Sequence, residues 1–343
     1  MARSKTSPAS PSSSGDGKRR TRRAARPRSA KPSPGFAETA QAPQAIQSRA
    51  SPSSAFSNVI DLAAATREAQ PFLKWVGGKA QLLKQFAPLF PQRIDRYIEP
   101  FIGGGAVFFH LKHRFPDMRA RLYDINDELI NTYQAVRDSP QDLMRRLDEH
   151  LTHYNLDRDR YYYLVRSRHH LPRTEIVERA ARMIFLNKTC FNGLWRVNGR
   201  GEFNVPIGSH ANPSLYDRDN ILAASAALQG VELTTLDFRD TLAGIQPGDF
   251  VYIDPPYVPV SQTANFTSYA KEDFGVAEQQ ELAALFADAA RRGVRLMLSN
   301  SDVPVVRDLY RGFTLHTLSA RRAINRDGAK RGAVNEVLVC VGG

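Results

Sequence analysis

The stretch "RYIEPFIGGGAVFFHL", Arg96 to Leu111, decides the fold. A short run opening on Arg-Tyr-Ile breaks at three successive glycines and continues with helical spacing. A strand, a glycine loop and a helix in that order make one β-loop-α unit. "ARLYDINDELINTYQAV", Ala120 to Val136, repeats it as a strand, an acidic loop and a helix. Upstream, "FLKWVGGKAQLLKQFAPLF", Phe72 to Phe90, reads as a short extended piece, a glycine turn and an amphipathic helix. Successive units of this kind predict an α/β chain with a doubly wound sheet.

Between about Ser139 and Val231 the rhythm stops. "LMRRLDEHLTHYN" and "VERAARMIFLNK" read as helices, and "GLWRVNGRGEFNVP" as a β-hairpin around Asn198-Gly199. This mainly helical block is rich in Arg, His and Tyr. At Val251 the rhythm resumes with the strand "FVYID", the helix "AEQQELAALFADAARRG", the strand "VRLMLSN" and a last strand "NEVLVCV" that closes the sheet. The boundaries are a tail at 1–68, a first sheet-forming part at 69–138, an inserted domain at 139–231 and a second sheet-forming part at 232–343.

The 343 residues are 42% hydrophobic, ample for a proper core. No run approaches the ~20 apolar residues a membrane helix needs, so a soluble, non-membrane protein is expected. Cys190 and Cys340 have neither metal-ligand spacing nor a disulfide framework, which predicts a reducing compartment and no metal. The net charge of +12 is uneven: residues 1–70 hold 12 Lys/Arg against 4 Asp/Glu. The Ser-, Ala-, Pro- and Arg-rich tail cannot bury enough surface to offset its ordering entropy, so disorder is expected there. "GKRRTRRAARPRSAKP" is either a DNA-tethering arm or a plain solvated extension; a transit peptide would need a clearer amphipathic face.

Gly103, Gly104 and Gly105 allow a tight turn and close backbone approach to a ligand. Asp124 follows Gly105 by 19 residues, at the end of the next strand. In nucleotide-binding α/β folds an acid roughly 20 residues on holds a ribose hydroxyl. Phe108 stands where a third glycine of a dinucleotide fingerprint would be, which points to a smaller nucleoside. In "FVYIDPPYVPV", Phe250 to Val260, the prolines end strand pairing and push Asp254 beyond the sheet edge. Asp254 and the Pro255 carbonyl are two rigid acceptors, suited to an exocyclic amine, and Tyr257 offers a flat stacking face. The plainer readings are an ordinary loop and a helix-capping turn.

In combination, "FLKWVGGK", "EPFIGGG", "YDIND", "FLNKTCFNGLWRVNGRGEFNVPIG", "VYIDPPY", "ANFTSYAKEDF" and "LMLSNSD" resemble the Dam-type (D12 class) DNA adenine N6-methyltransferases, from about Pro71 to Val341. The resemblance implies a Rossmann-like methyltransferase sheet, with the inserted block as target-recognition domain. It implies S-adenosylmethionine as cofactor, contacted by Trp75, Lys79, Gly103, Gly105, Asp124 and Asp254. It implies that Asp254, Pro255, Pro256 and Tyr257 form the catalytic site and hold a flipped-out adenine. For double-stranded DNA it implies Phe191 as a wedge, Leu194 and Pro206 as apolar base contacts and Arg196 as a guanine reader; Arg200 is a candidate phosphate contact. Expected with it are a GATC or related GA-containing site and a cytoplasmic, nucleoid-associated location. A monomer is expected with a dimer left open, as is a cognate restriction endonuclease. Cytosine N4 methylation and a non-catalytic DNA-binding protein are the rival readings. "ANFTSYAKEDF" is expected over the pocket, and Arg321, Arg322, Arg326, Lys330 and Arg331 in a phosphate-contacting or simply solvated loop.

Overall fold

The computed structural model describes residues 67–258, 274–321 and 333–342, all within one compact unit. The tail up to residue 66, most of "ANFTSYAKEDF", and Arg322, Arg326, Lys330 and Arg331 lie outside the described residues.

Seven strands form one sheet: β1 (Arg96–Glu99), β2 (Arg119–Asp124), β3 (Glu232–Thr235), β4 (Asp249–Ile253), β5 (Arg295–Ser301), β6 (Thr314–Arg321) and β7 (Ala333–Val341). Their order is β3-β2-β1-β4-β5-β7-β6. The first five run parallel, and β7 enters antiparallel between β5 and β6. The last strand therefore fills a gap inside the sheet and does not end it. The doubly wound α/β sheet expected from the sequence is present. Strand order reverses between β1 and β4, and in such sheets ligands bind in the crevice beyond the strand ends at that point.

Central burial explains the sequence of β4. All five of its residues are buried. Side chains alternate across a strand, so Phe250 and Tyr252 face one apolar cluster while Val251 and Ile253 face the other. The second cluster is covered by α8 (Phe238–Ala243), α9 (Val276–Arg291) and α10 (Pro304–Leu309). Over the first lie α1 (Leu83–Phe86), α2 (Ala106–Arg114), α3 (Asp127–Asp138) and the inserted block. The amphipathic helix expected at the start is only the four residues of α1 between two 3-10 turns. Pro88, which has no N–H to donate, interrupts it. The piece before it forms bends and turns without a strand.

The inserted block comprises α4 (Pro140–Leu156), α5 (Arg158–Arg166), α6 (Ile176–Thr189) and α7 (Arg218–Leu228). Leu147, Tyr162 and Phe185 from it share one apolar cluster with Tyr97 and Phe108 of the sheet layer. Arg179 of α6, buried, reaches Asp127 at 2.6 Å and Glu128 at 3.0 Å at the start of α3. Arg182 donates to the Val165 carbonyl at 3.1 Å and the Arg166 carbonyl at 3.0 Å. These are terminal carbonyls of α5, which a guanidinium caps well.

The hairpin after α6 is paired through single bridges, Val197 with Phe203 and Cys190 with Ile207. Its turn is longer than a two-residue Asn-Gly connection. Asn198 N–H donates to Glu202 O at 2.9 Å, leaving Gly199, Arg200 and Gly201 as the loop, with Gly201 at φ +76°. A three-residue hairpin loop closes through a left-handed position, which glycine accepts without strain.

Candidate active site

The loop after β1 turns beneath Trp75. Gly103 adopts φ +47° and Gly105 φ +71°. A Cβ on Gly103 would stand 2.8 Å from Trp75 Cδ1, so the indole rests on bare backbone. Gly103 N–H donates to Asp124 Oδ2 at 3.3 Å, and Asn126 N–H to Oδ1 at 3.0 Å. Tyr133 donates to the Gly103 carbonyl at 3.0 Å and holds the loop from below. Burial raises the Asp124 carboxyl to about 6, against the pull of these backbone donors. Ile125, next to it, is 69% exposed. A cradle that excludes side chains, an acceptor-only carboxylate and an exposed apolar neighbour fit a nucleoside.

Asp254 follows β4 directly. Lys79 Nζ lies 2.7 Å from Asp254 Oδ2, with the lysine side chain only 3% exposed. The same ammonium donates to the Gly77 carbonyl and sits 4.7 Å from the centre of the Tyr257 ring. Ser299, near the end of β5, donates to Asp254 Oδ1 at 2.9 Å and lies 2.8 Å from the Tyr252 hydroxyl. The second proline and the residues after it are held by neighbours. Gln279 of α9 donates to the Pro256 carbonyl at 2.7 Å, and Asn300 bonds both Gln279, at 3.1 Å, and the Val258 N–H, at 3.2 Å. Tyr257 donates to Glu336 Oε2 at 2.7 Å. Beneath the pocket, Glu99 accepts from Tyr97 at 2.7 Å. Burial above all pushes its carboxyl well above the usual range, against the hydrogen bond from Tyr97. An ammonium, a carboxylate and an aromatic face thus converge beyond the ends of β1, β4 and β5.

In the hairpin, Phe191 N–H donates to the Pro206 carbonyl at 2.9 Å and Asn204 N–H to the Arg196 carbonyl at 3.0 Å. These pairings bring Phe191, Arg196 and Pro206 onto one short ladder, with half-buried Leu194 between. Phe191 is 48% exposed. Arg196 Nε donates to Asn204 Oδ1 at 2.5 Å, which aims the guanidinium along the hairpin. Arg200 stands apart at the exposed tip. Asn187, fully buried at the end of α6, accepts from Lys74 N–H at 2.9 Å. Its amide donates to Lys74 O at 2.8 Å and to Gly193 O at 3.0 Å. Burial raises the Cys190 thiol to about 12, which leaves it un-ionised and unfit as a nucleophile.

The D12 class of N6 adenine-specific DNA methyltransferases matches this chain over residues 75–324, from Trp75 through the glycine loop, the inserted block and Asp254. The chain belongs to that class. It is similar to the Type II methyltransferase M.MjaIII of Methanocaldococcus jannaschii, 41% identical over 276 residues, 77% of this chain and 96% of that one. It is similar also to the Type II methyltransferase M1.LlaDCHI of Lactococcus lactis, 39% identical over 79% of this chain and 94% of that one. The DNA adenine methylase of Serratia marcescens is 37% identical over 78% of this chain and 96% of that one. The protein is an adenine-specific DNA methyltransferase, and the rival readings lose their support.

Several residues around this methyltransferase pocket were not singled out from the sequence. Glu99, Ser299 and Glu336 share a sheet face with the apolar Tyr97, Met297 and Leu338, two residues away on their strands. A polar residue on the inward face at the end of an apolar strand is the signal that would have found them. Asn187 carried no such signal, because its partner Lys74 lies 113 residues away. Among the described residues no cluster of His, Cys, Asp or Glu could hold a metal, and no helix is long and apolar enough to cross a membrane.

Proposed function

We propose that this enzyme takes the methyl group of S-adenosylmethionine to N6 of an adenine flipped out of duplex DNA, at a GA-containing site of which GATC is the first to test. The observation that carries the reading is the convergence of Asp254, Lys79 and Tyr257 beside the Gly103–Asp124 cradle. Trp75, Gly103 and Gly105 would hold the cofactor backbone-close, with Asp124 on the ribose hydroxyls and Ile125 against the base. Bound there, S-adenosylmethionine supplies an electrophilic methyl group on a sulfonium, an already good leaving group.

The chain's own part is positioning and electrostatics. Asp254 and the Pro255 carbonyl accept hydrogen bonds from the two N6 hydrogens, which draws the amine lone pair out of conjugation with the ring. As the methyl carbon–sulfur bond breaks and the nitrogen–carbon bond forms, one of these protons is released to water. A carboxylate offers about four lone-pair sites, so Asp254 retains acceptor capacity beside Lys79 and Ser299. Pro255 and Pro256 keep the acceptors rigid, and Tyr257 stacks on the base. On the DNA, Phe191 fills the stack, Arg196 reads a guanine through O6 and N7, Leu194 and Pro206 touch bases, and Arg200 meets phosphate. The Type II names of two relatives accord with a cognate restriction endonuclease as partner in the cell.

Transfer of labelled methyl from S-adenosylmethionine to duplexes carrying GATC, GATATC or a scrambled site tests this, with N6-premethylated GATC and Asp254→Ala as controls. Label on the GATC adenine, lost in both controls, is expected. Equal labelling of all duplexes would overturn the site, and an active Asp254→Ala would overturn the role of Asp254.

A further inference from the structure

Glu336 stands in the strand "AVNEVLVCV", whose next three residues, Val337, Leu338 and Val339, are fully buried. β7 has a strand on each side, and Glu336 pairs with Ser301 of β5 and Leu318 of β6. A carboxylate inside a sheet is unfavourable unless it is well bonded. Here it accepts the Tyr257 hydroxyl at 2.7 Å. Burial raises its carboxyl above the usual range, while the nearby Lys79 ammonium pulls it back down. The Tyr257 hydroxyl is therefore held on Glu336, and the backbone just before it is held where Gln279 donates to the Pro256 carbonyl. One face of the ring lies against the Lys79 ammonium.

We propose that Glu336 is a positioning residue for the target base, acting through Tyr257. By holding the hydroxyl it fixes the long axis of the ring beside the Asp254 acceptor, while the Lys79 ammonium lies against its face. A phenol donating to a carboxylate also carries more electron density on its ring, which strengthens the attraction of the face for positive charge. Position 257 then requires tyrosine, since phenylalanine stacks but cannot be held. The inference rests on the reading of Tyr257 as the stacking face.

The test uses the full chain and five variants: Glu336→Gln, Glu336→Ala, Tyr257→Phe, Tyr257→Ala and the double variant Tyr257→Phe/Glu336→Gln. Two quantities are read: the single-turnover methylation rate, and the emission of 2-aminopurine placed at the target adenine, recorded without cofactor. Glu336→Ala and Tyr257→Phe should each slow turnover about tenfold or more and lower the emission. Glu336→Gln, which keeps an acceptor, should lie between Glu336→Ala and wild type. In the Tyr257→Phe background Glu336→Gln should add nothing, the sign of two residues acting as one. A full additional loss in the double variant would overturn the inference, as would unchanged emission and turnover in both Glu336 variants. Tyr257→Ala separates the two readings: full activity there would sink the stacking role itself, whatever Glu336 does.

Discussion

At pH 7 the Asp124 carboxylate is ionised although burial raises it from 3.8 to about 6. Between those values the folded chain holds a proton that the unfolded chain has released. Stability therefore falls as pH rises through that window, and above about 6 the penalty is complete. The shift corresponds to about 3 kcal/mol, which the enzyme sustains to keep an acceptor in the cradle. Asp124→Asn should raise the melting temperature of the ligand-free protein at pH 7.5, and weaken S-adenosylmethionine binding at least tenfold by calorimetry. Wild-type affinity should decline as pH falls through 6, and the variant's should be flat there; a lower melting temperature in the variant would refute the penalty. As candidates, Asp254 and Tyr257 were legible from the adjoining prolines, and Asp124 from its place 19 residues after Gly105. Ser299 and Glu336 were not, since what brings them to the pocket is sheet register across β5 and β7.

Helix α6 shows what joins the inserted block to the sheet layer. Arg179, 5% exposed, bonds Asp127, Glu128 and Asn131 at 2.6, 3.0 and 3.3 Å. Arg179 is buried while Asp127 and Glu128 are 44% and 32% exposed, so removing the arginine loses its charge-assisted bonds and the packing of its stem. Arg179→Ala should lower unfolding free energy by about 2 kcal/mol in urea titration, while Arg145→Ala, whose partners on α4 are exposed, should leave it almost unchanged. Similar losses in the two variants would show that burial does not distinguish them. Most of the alternating β and α elements were readable from hydrophobic period alone. Two departures were not. Pro88 cut the first helix to four residues, and β7 took an interior place that no local pattern encodes, because antiparallel insertion is decided by partners far away in the chain.

Across the whole chain, positive charge is concentrated at one end, with 12 Lys/Arg against 4 Asp/Glu in residues 1–70 and 35 against 31 in the rest. Each phosphate contact adds about 0.9 to the slope of log affinity against log salt. Deleting residues 1–66 should lower that slope by two or more for non-specific duplex, with little change in the preference between cognate and scrambled sites. An unchanged slope would leave the tail without a role in binding DNA. The Asn187 clamp has a consequence for how such enzymes diverge. Because Asn187 grips the backbone of Lys74 as well as Gly193, the inserted block is seated on the Phe72–Trp75 segment as well as on its own hairpin. A chimera importing residues 139–231 alone would set a foreign clamp on a native Phe72–Trp75 segment. New preferences should arise by paired drift of both segments, and a shuffled cassette should keep its grip only when the two travel together.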